Sequence, residues 1–421
     1  MRILMISQWF HPEPSFKGLP FARALADRGH QVQVLTGFPN YPGGRLYPGY
    51  RVRPWRREVL DGIPVLRVPL YPSHDRSGLR RTLNYLTFAW SATALGSALL
   101  EKPDVIYAYH PPATIGLPAV ALSLTTGAPF VYDIQDLWPD SVLHSGMLAD
   151  GVTMRAISAW CGFVYRRASQ IVVLSPGFKR VLRERGVPSA KISVVYNWAD
   201  ETPVETAPIG SNALCQDRFN ILFAGTMGTG QALDTVLRVA DRCASMLPLV
   251  HFWLVGRGTE TERLQREAAE MQLPNVTFLP HQSRPELMRI MNAADALLVH
   301  LRNIPLYTVT IPSKTQEYLA AGKPIIMAVR GDSADLITQA GAGVNCEPED
   351  TDSITAAIAK LIALGPEGRR AMGAAGQAYY QTHLCFRHGI DRFESIFESV
   401  VTANRQRRGQ SVAGHIPEEM N

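Results

Sequence analysis

Cysteine is scarce in this chain of 421 residues, and its placement is irregular. The five cysteines, which never form a CxxC pair, are Cys161, Cys215, Cys243, Cys346 and Cys385. A structural zinc site or a disulfide framework needs cysteines that are closely spaced or regularly paired. The sequence therefore argues against both and is typical of a protein that works in a reducing compartment.

Long apolar runs are missing as well. The opening residues, MRILMISQWF, hold only a strand-length apolar segment without a cleavage site of small residues, so we expect a strand and not a signal peptide. No segment reaches the roughly 20 apolar residues of a membrane-spanning helix. The nearest candidate, Leu83–Leu100, contains Asn, Thr and Ser and follows Arg80 and Arg81. It is either a buried helix or a helix lying in a membrane interface with its arginines on lipid phosphates.

Neither sign of charge dominates. The chain has 42 basic and 37 acidic residues and a formal net charge of +5. Its arginines cluster, but no basic helix is interleaved with aromatic residues, so nucleic acid is not expected as a partner. Apolar residues make up 46% of the chain, and together with its length this predicts two domains, each with its own core.

Strand-length apolar segments alternate with helix-length segments along most of the chain. In the first half the segments are RILMIS (2–7), QVQVLT (31–36), VIYAY (105–109), FVYDI (130–134), IVVLS (171–175) and ISVVYN (192–197). In the second half they are FNILFAG (219–225), VHFWLVG (250–256), VTFLP (276–280), ALLVHL (296–301) and PIIMAV (324–329). This alternation and its restart predict an α/β protein with two doubly wound, Rossmann-like domains.

The domain boundary is expected in the polar stretch ADETPVETAPIGSNALCQD. We predict an N-terminal domain over 1–200 and a C-terminal domain over 201–379. A helix over about 380–404 is expected to pack back on the first domain, and residues 405–421 are expected to be a disordered tail.

Parallel sheets bind ligands at the carboxyl ends of their strands, and glycines follow several of the predicted strands. Gly18 precedes the first helix, while Gly225, Gly228 and Gly230 lie between a strand and a helix in the second half. Their pattern, GxxGxG, is neither the dinucleotide fingerprint nor a Walker loop. Such turns can still present backbone amides to a phosphate, and Arg257 follows the next strand.

The stretch IPSKTQEYLAAGKPIIMA, residues 311–328, predicts a short helix. Ser313 is the expected N-cap, with Lys314 at the first helical position and Gly322 at the end. The N-terminus and Lys314 would form an anion site. Glu317, one turn further on, is well placed to accept hydrogen bonds from a ribose diol.

Polar side chains also follow two strands of the first half. VYDIQDLWPDS holds Asp133, Asp136, Asp140 and Trp138, and YHPPA holds His110. No histidine or further carboxylate at ligand spacing supports a metal here, so no metal site is expected. The carboxylates are interpreted as sugar-binding or helix-capping groups, and His110 as a functional or a structural histidine.

Taken together, the restart at FAGTMG and the stretch PSKTQEYLAAGKPII resemble the GT-B-fold retaining glycosyltransferases of family 4 over nearly the whole chain. TGFPNYPGGRLYPGYR, VYDIQDLWPDS and VYNWADE are similar to a narrower bacterial branch. That branch serves O-antigen and capsule assembly and includes N-acetylfucosamine transferases.

The resemblance implies two domains that face a central cleft, a UDP-sugar donor on the C-terminal one and a lipid-linked or saccharide acceptor on the N-terminal one. It implies retention of configuration, no metal or other cofactor, and a cytoplasmic enzyme at the inner face of the cell membrane. The catalytic candidates are His110 and Asp136. The donor-binding candidates are Gly18, Gly225, Gly228, Gly230, Arg257, Ser313, Lys314 and Glu317. The acceptor or sugar-binding candidates are Asn40, Tyr41 and Trp138.

The chain departs from the family pattern at three positions. Glu317 matches the second Glu of the family's E-x7-E motif, but the first falls at Val309. The phosphate-binding Arg and Lys fall near Thr226 and Gln231, which leaves Lys314 and the glycine-turn amides, with Arg257, as substitutes. The family's histidine falls at Tyr109 or His110, and we assign it to His110.

Two other functions fit the same sequence. A GT-B-fold UDP-sugar epimerase would use the same donor site, but we find no convincing pair of acid and base carboxylates. A non-catalytic nucleotide-sugar binding protein would explain the missing first Glu.

Overall fold

The computed structural model describes residues 1–73, 77–141, 151–203, 214–215 and 217–413. The chain divides into two compact units. The N-terminal unit consists of Met1–Leu174, Phe178–Val195 and the chain from Ile390 onward. The C-terminal unit consists of Ser175–Gly177 and Tyr196–Gly389. Of the stretch expected to link the domains, residues 204–213 and 216 lie outside the described residues.

The N-terminal unit is built on one sheet with helices around it. Its described strands are β1 (Arg2–Ile6), β2 (Gln31–Gly37), β3 (Arg56–Leu60), β4 (Ile63–Val68), β5 (Val105–His110), β6 (Phe130–Ile134), β7 (Gln170–Val173) and β8 (Ile192–Val194). Its described helices are Leu19–Asp27, Gly78–Leu99, Gly116–Thr126, Gly151–Arg167 and Pro176–Glu184, with short 3₁₀ turns at Ala113–Ile115 and Ser189–Lys191.

The strand order in this sheet is β3-β4-β2-β1-β5-β6-β7-β8. β1 lies between two parallel neighbours, with Ile3 opposite Val32 on one side and Val105 on the other. The expected parallel sheet is thus confirmed, with one addition. β3 and β4 form an antiparallel hairpin across Asp61 and Gly62, whose φ values of 45° and 80° suit a two-residue turn.

The C-terminal unit holds the second sheet. Its described strands are β9 (Phe219–Thr226), β10 (Val250–Arg257), β11 (Val276–Leu279), β12 (Ala296–His300), β13 (Ile325–Ala328) and β14 (Gly343–Asn345). Its described helices are Leu233–Met246, Thr261–Glu270, Arg284–Ala293, Pro305–Thr308, Ser313–Ala321, Asp332–Ala340, Thr351–Ala363 and Gly365–His383, with a 3₁₀ turn at Thr229–Gln231.

The strands of this second sheet run in the order β11-β10-β9-β12-β13-β14, and every described pairing is parallel. β9 and β12 hold the centre, and their apolar side chains pack under the helices Leu233–Met246 and Thr351–Ala363. The prediction of two doubly wound, Rossmann-like units is therefore confirmed.

The last helix, Phe386–Ala413, packs on the N-terminal unit from Ile390 onward. Phe393 is fully buried, with its ring 5.1 Å from the ring of Phe21 and 5.6 Å from that of Tyr107. On the same helix, Asp391 and Glu394 form ion pairs with Arg28.

The prediction of a disordered tail from residue 405 is wrong for residues 405–413, which continue this helix. The Arg and Gln residues of that segment have good helix propensity, and Arg408 donates a hydrogen bond to the carbonyl of Gly127. Residues 414–421 lie outside the described residues.

The sequence predicts that the segment Leu83–Leu100 is either a buried helix or a helix in a membrane interface. It forms the middle and end of the helix Gly78–Leu99. One face is buried against the unit, through Asn84, Phe88, Ala89, Ala92 and Gly96. The opposite face exposes large apolar side chains. No described helix is long and apolar enough to cross a membrane.

We expect Phe393→Ala to lower the free energy of unfolding of the N-terminal unit by about 3–5 kcal/mol, because it removes a buried ring and leaves a cavity. Urea unfolding followed by circular dichroism measures the loss. Met246→Ala, at a side chain that is 58% exposed, is the matched control and should change stability little. Equal stability of the two variants would show that the helix does not secure this unit.

Candidate functional site

Two glycines shape the carboxyl edge of the second sheet. Gly225 on β9 and Gly256 on β10 lie opposite each other. Their φ values of 138° and 141° are rarely adopted by residues other than glycine. A Cβ placed on Gly256 would lie 2.0 Å from the carbonyl oxygen of Gly225. A side chain on Gly256 would therefore clash with β9, and at this edge the backbone of Gly225 is exposed.

Lys314 faces this edge from the helix Ser313–Ala321. A Cβ on Gly225 would lie 3.3 Å from its Nζ, and the Nζ sits 3.7 Å from the ring centroid of Phe223. The ammonium group is buried and has no hydrogen-bond partner among the described residues. Burial lowers its pKa to about 7, although the nearby charge of Glu317 acts to raise it.

A buried ammonium without a hydrogen-bond acceptor is costly, because its contact with the Phe223 ring and the nearby charge of Glu317 replace only part of its lost hydration. In native proteins such groups are rare and call for a specific explanation. An anionic ligand at the edge of the sheet would provide both a hydrogen-bond acceptor and a negative charge. Lys314 is thus the strongest sign of a binding site in the C-terminal unit.

Glu317 lies one turn further along the same helix. It is partly buried, and this burial raises the pKa of its carboxyl, with Lys314 opposing the effect. The next residue, Tyr318, is fully buried and its hydroxyl accepts a hydrogen bond of 2.9 Å from the amide of Ala224 on β9. This contact fixes the helix to the strand and so holds the cation and the carboxylate at one edge.

The start of this helix differs from the prediction. The N-cap is Pro312, and Ser313 is the first helical residue and exposed, so Lys314 is the second. The expected capping box is absent, because Ser313 is not the N-cap and Gln316 is therefore not the third helical residue. With its amide oriented to satisfy the network, Gln316 donates to the carbonyls of Pro312 and Ser313 instead. Gly322 ends the helix in the left-handed conformation, with φ of 67°, as expected.

The turn after β9 is partly occupied by the chain's own side chains. The amide of Gly228 donates to Gln231 Oε1 at 3.0 Å. A Cβ on Gly230 would lie 2.3 Å from the hydroxyl of Tyr307. Gly228 is therefore not an open phosphate donor in this structure, and Gly230 is required by the close packing of Tyr307. Arg257 is exposed at the end of β10.

In the N-terminal unit, a buried carboxylate connects the ends of β1 and β2. Glu13 accepts hydrogen bonds from the amides of Phe10, Asn40 and Tyr41, at 3.1, 2.6 and 2.7 Å. Burial raises its pKa to about 7, although these bonds and the charge of Arg67 act to lower it. Glu13 thereby holds Tyr41 in position next to the loop that follows β1.

Three aromatic side chains gather at this edge, and we call them the Trp9–Tyr41–Tyr85 cluster. The rings of Trp9 and Tyr41 stack with centroids 4.7 Å apart, and Tyr85 meets Trp9 edge-on at 6.4 Å. All three are partly exposed. The negative charge of Asp136 is close enough to raise the pKa of both tyrosines, in addition to the larger effect of their burial.

Asn40 does not face a ligand in this arrangement. It is buried, its Nδ2 donates to the carbonyl of Phe38, and its Oδ1 accepts from Asn84 at 3.1 Å. Gln8 extends the network by donating to Asn84 Oδ1. The prediction that Asn40 contacts a sugar is therefore not supported by this geometry, because its side chain is used to fix the loop.

The other candidates in this unit lie around the ends of β5 and β6. His110 is 2% exposed and lies between the rings of Tyr132 and Trp138, at 5.7 and 5.8 Å. Burial lowers its pKa to about 3, so its imidazole is neutral at physiological pH. Asp136 reaches solvent, but the surrounding protein limits its hydration and raises the pKa of its carboxyl.

Gly18 belongs to this unit and is the N-cap of the helix Leu19–Asp27. A Cβ there would lie 3.1 Å from the carbonyl of Ser15, so a tight turn explains the glycine. The adjacent Lys17 is fully buried, and its Nζ lies 2.7 Å from Asp133 Oδ2. Tyr107 donates to the same oxygen at 2.6 Å, so this lysine has a protein partner and stabilises the fold.

Sequence reasoning missed several of these residues. Trp9 and Glu13 lie in the loop that follows β1, so the same strand-end argument that selected His110 could have found them. Tyr85 and Asn84 lie within a helix, and no local pattern connects them to the ends of β1 and β2.

Two family models match the chain. The model "Glycosyl transferase 4-like domain" matches residues 19–198, and the model "Glycosyl transferases group 1" matches residues 209–379. Each half of the chain thus matches a glycosyltransferase domain, and the chain is a glycosyltransferase. The narrower N-acetylfucosamine-transferase branch stays a prediction.

This glycosyltransferase is similar to curated proteins at low identity. It is 27% identical over 355 residues to the putative colanic acid biosynthesis glycosyl transferase WcaI of Escherichia coli, covering 81% of this chain and 86% of that one. It is 24% identical over 398 residues to a glycogen synthase of Mycobacterium tuberculosis, covering 90% of each chain.

Solved structures share its fold. Anabaena Alr3699/HepE in complex with UDP aligns with a TM-score of 0.67 and 16% identity over 95% of this chain and 100% of that chain. Sucrose-phosphate synthase from Thermosynechococcus elongatus aligns with a TM-score of 0.69 and 16% identity over 96% and 99%. These similarities confirm the predicted GT-B fold class.

In the glycosyltransferase, the position of the missing first Glu is filled by packing. Val309 lies against Gly177, where a Cβ would come within 2.6 Å of the valine Cβ, and its carbonyl accepts a hydrogen bond from Ser175 at 2.5 Å. Among the described residues, no group of three His, Cys, Asp or Glu side chains could hold a metal ion. Metal-independent chemistry stays a prediction.

We expect binding of a diphosphate at Lys314, with UDP as the probe, to weaken as the pH rises from about 7 to 9. The free enzyme loses the Lys314 proton near pH 7, whereas a bound diphosphate favours the charged amine, so binding above pH 7 must take up a proton. Calorimetry in buffers of different ionisation enthalpy measures this uptake. Lys314→Gln is the control, and the same pH dependence in that variant would contradict the assignment.

Proposed function

We propose that the protein is a retaining glycosyltransferase that moves a sugar from a UDP-sugar to a lipid-linked or saccharide acceptor. The sugar is proposed to be an N-acetylated hexose or a 6-deoxyhexose, and the product an O-antigen or capsule polysaccharide. The observation that carries this proposal is the buried, unpartnered ammonium of Lys314 beside the glycine ends of β9 and β10. The similarity to a colanic acid biosynthesis transferase and to a structure that holds UDP supports it.

The donor's diphosphate is placed against Lys314 and its ribose against Glu317. As the bond between the sugar's anomeric carbon and the diphosphate breaks, negative charge grows on the leaving group. A fixed cation in a poorly hydrated site stabilises that charge more in the transition state than in the ground state. A carboxylate only accepts hydrogen bonds, so Glu317 suits the two ribose hydroxyls.

The acceptor hydroxyl attacks the same face that the diphosphate leaves. A new bond forms between the anomeric carbon and the acceptor oxygen, and the hydroxyl proton passes to the departing diphosphate. This route needs no protein nucleophile. A neutral His110 is suited to hydrogen-bond a sugar hydroxyl and not to carry a proton, because its pKa lies near 3. Asp136 is proposed to orient the acceptor.

The acceptor site is proposed at the Trp9–Tyr41–Tyr85 cluster. Partly exposed aromatic faces offer apolar surface to the C–H groups of a sugar ring, while hydroxyl and carboxylate groups at the rim fix its orientation. Arg81 lies one helical turn before Tyr85, and its positive charge acts on that tyrosine. It is suited to an acceptor that bears phosphate.

The two alternative functions differ from this one in what they do with the donor. An epimerase would change the sugar without an acceptor, and a binding protein would hold it unchanged. The exposed aromatic cluster favours the transferase, because neither alternative needs a second sugar site.

We expect release of UDP from a UDP-sugar only when an acceptor is present, and at the same rate in excess EDTA, because Lys314 supplies the charge that a metal would otherwise provide. A panel of UDP-sugars with polyprenyl-diphosphate sugars as acceptors tests this by UDP detection. A changed sugar without acceptor would establish the epimerase, and binding without turnover the binding protein. Activity that EDTA abolishes and magnesium or manganese restores would refute the metal-independent mechanism.

We expect Glu317→Gln to weaken binding of both UDP and uridine by about tenfold or more, because it removes a charged acceptor of the ribose hydrogen bonds. Lys314→Ala should weaken UDP binding far more than uridine binding, since uridine lacks the diphosphate. Titration calorimetry with both ligands measures the four affinities. Wild-type affinity of Glu317→Gln for both ligands would show that Glu317 does not contact the ribose.

A further inference from the structure

The exposed face of the helix Gly78–Leu99 carries a line of large apolar side chains. Leu79, Leu83, Leu86 and Trp90 are 72%, 42%, 41% and 65% exposed. They recur at intervals of four, three and four residues, so they lie on one side of the helix. We call this set the apolar stripe.

The stripe is confined to the first part of the helix. The next positions on the same side are Thr93 and Ser97, whose hydroxyls bond to backbone carbonyls of the helix itself. The apolar side chains therefore cover about 16 Å of the helix, at 1.5 Å for each residue. The helix packs on the core through its opposite side, where Asn84, Phe88 and Ala92 are buried. The stripe is therefore separate from the core-facing side of the helix.

The helix that carries the stripe has charge of one sign only. The helix Gly78–Leu99 contains no acidic residue and has Arg80 and Arg81 in its first turn. Residues 38–100 contain nine arginines, no lysine and three acidic residues. The formal net charge of this segment is therefore +6, compared with +5 for the whole chain. The remainder of the protein is thus close to neutral, at −1, and the positive charge is concentrated in the segment that carries the stripe.

We propose that the apolar stripe docks the N-terminal unit on an anionic lipid bilayer. Leucine and tryptophan side chains enter the acyl boundary, and exposed arginines of the same segment, such as Arg80, lie at the level of the lipid phosphates. A second protein is a poorer fit, because stable protein interfaces use about 20–30 residues on each side and the stripe offers four. The docking rests on the proposed function only in its purpose, which is access to a lipid-linked acceptor.

The geometry connects this surface to the acceptor site. Tyr85 belongs to the same three turns of the helix, and its ring meets Trp9 of the Trp9–Tyr41–Tyr85 cluster. A helix that lies on the bilayer with its stripe would therefore hold the cluster close to the membrane surface, where the sugar and phosphate of a lipid-linked acceptor are found.

Flotation of the full-length protein with vesicles tests the docking. We expect binding to phosphatidylcholine vesicles that contain phosphatidylglycerol, weaker binding without the anionic lipid, and release at high salt. Leu79→Ser/Trp90→Ser should lower partitioning by about tenfold or more, because two large apolar side chains no longer leave water. The control Leu124→Ser/Leu249→Ser, at side chains that are 66% and 61% exposed elsewhere, should bind like the wild type.

Two further measurements make the test specific. Trp90→Phe should float like the wild type but lose part of the fluorescence quenching by brominated lipids, which places this residue in the bilayer. Equal flotation of Leu79→Ser/Trp90→Ser, the stripe variant, and of the control Leu124→Ser/Leu249→Ser would overturn the proposal. So would a lipid-free wild-type dimer that the stripe variant converts to a monomer in sedimentation velocity, since it would assign the stripe to a second copy.

The outcome is independent of the proposed catalytic function. UDP titration of the stripe variant should give wild-type affinity, because the stripe lies in the N-terminal unit and Lys314 and Glu317 in the C-terminal one. If the wild type floats but does not bind UDP, the proposed function fails and the docking stands. If it binds UDP but does not float, the docking fails alone.

Discussion

Parallel strands end at the same edge of their sheet, and both units of this protein depend on that constraint. The strands are mostly apolar along their length, so the polar side chains of both candidate sites lie where the strands stop. In the C-terminal unit the ends of β9 and β10 bring two glycines together and leave room for Lys314. In the N-terminal unit the ends of β1 and β2 are joined by Glu13 and present an aromatic cluster.

Two buried lysines differ in whether the protein itself supplies a hydrogen-bond partner for the charge. Lys17 has the carboxylate of Asp133 at 2.7 Å, and breaking such a pair would leave an uncompensated charge in the core. Lys314 is also buried but has no hydrogen-bond partner among the described residues. The first charge is satisfied by the fold itself. The second has only the ring of Phe223 and the nearby charge of Glu317 to offset its burial, which lowers its pKa to about 7.

The helix Gly78–Leu99 combines three roles in one segment. One side completes the core of the N-terminal unit, a neighbouring side brings Tyr85 to Trp9, and the third exposes the apolar stripe. A mixed composition of leucine, tryptophan, alanine and small polar residues is what such a helix requires. This explains why hydropathy alone could support either a buried helix or an interfacial one.

The sequence by itself determined the α/β class, the two parallel sheets and the short helix that carries Lys314 and Glu317, because periodicity and glycine placement are local properties. It did not determine the start of that helix, where Pro312 and not Ser313 is the N-cap, or the helical continuation through residues 405–413. Only the tertiary structure decided that Asn40 is engaged inside the protein, whereas the bond from Gly228 to Gln231 is a contact within one turn. The partners of Glu13 and Tyr85 come from loops and helices distant in sequence, and their contacts follow from packing, which no local pattern encodes.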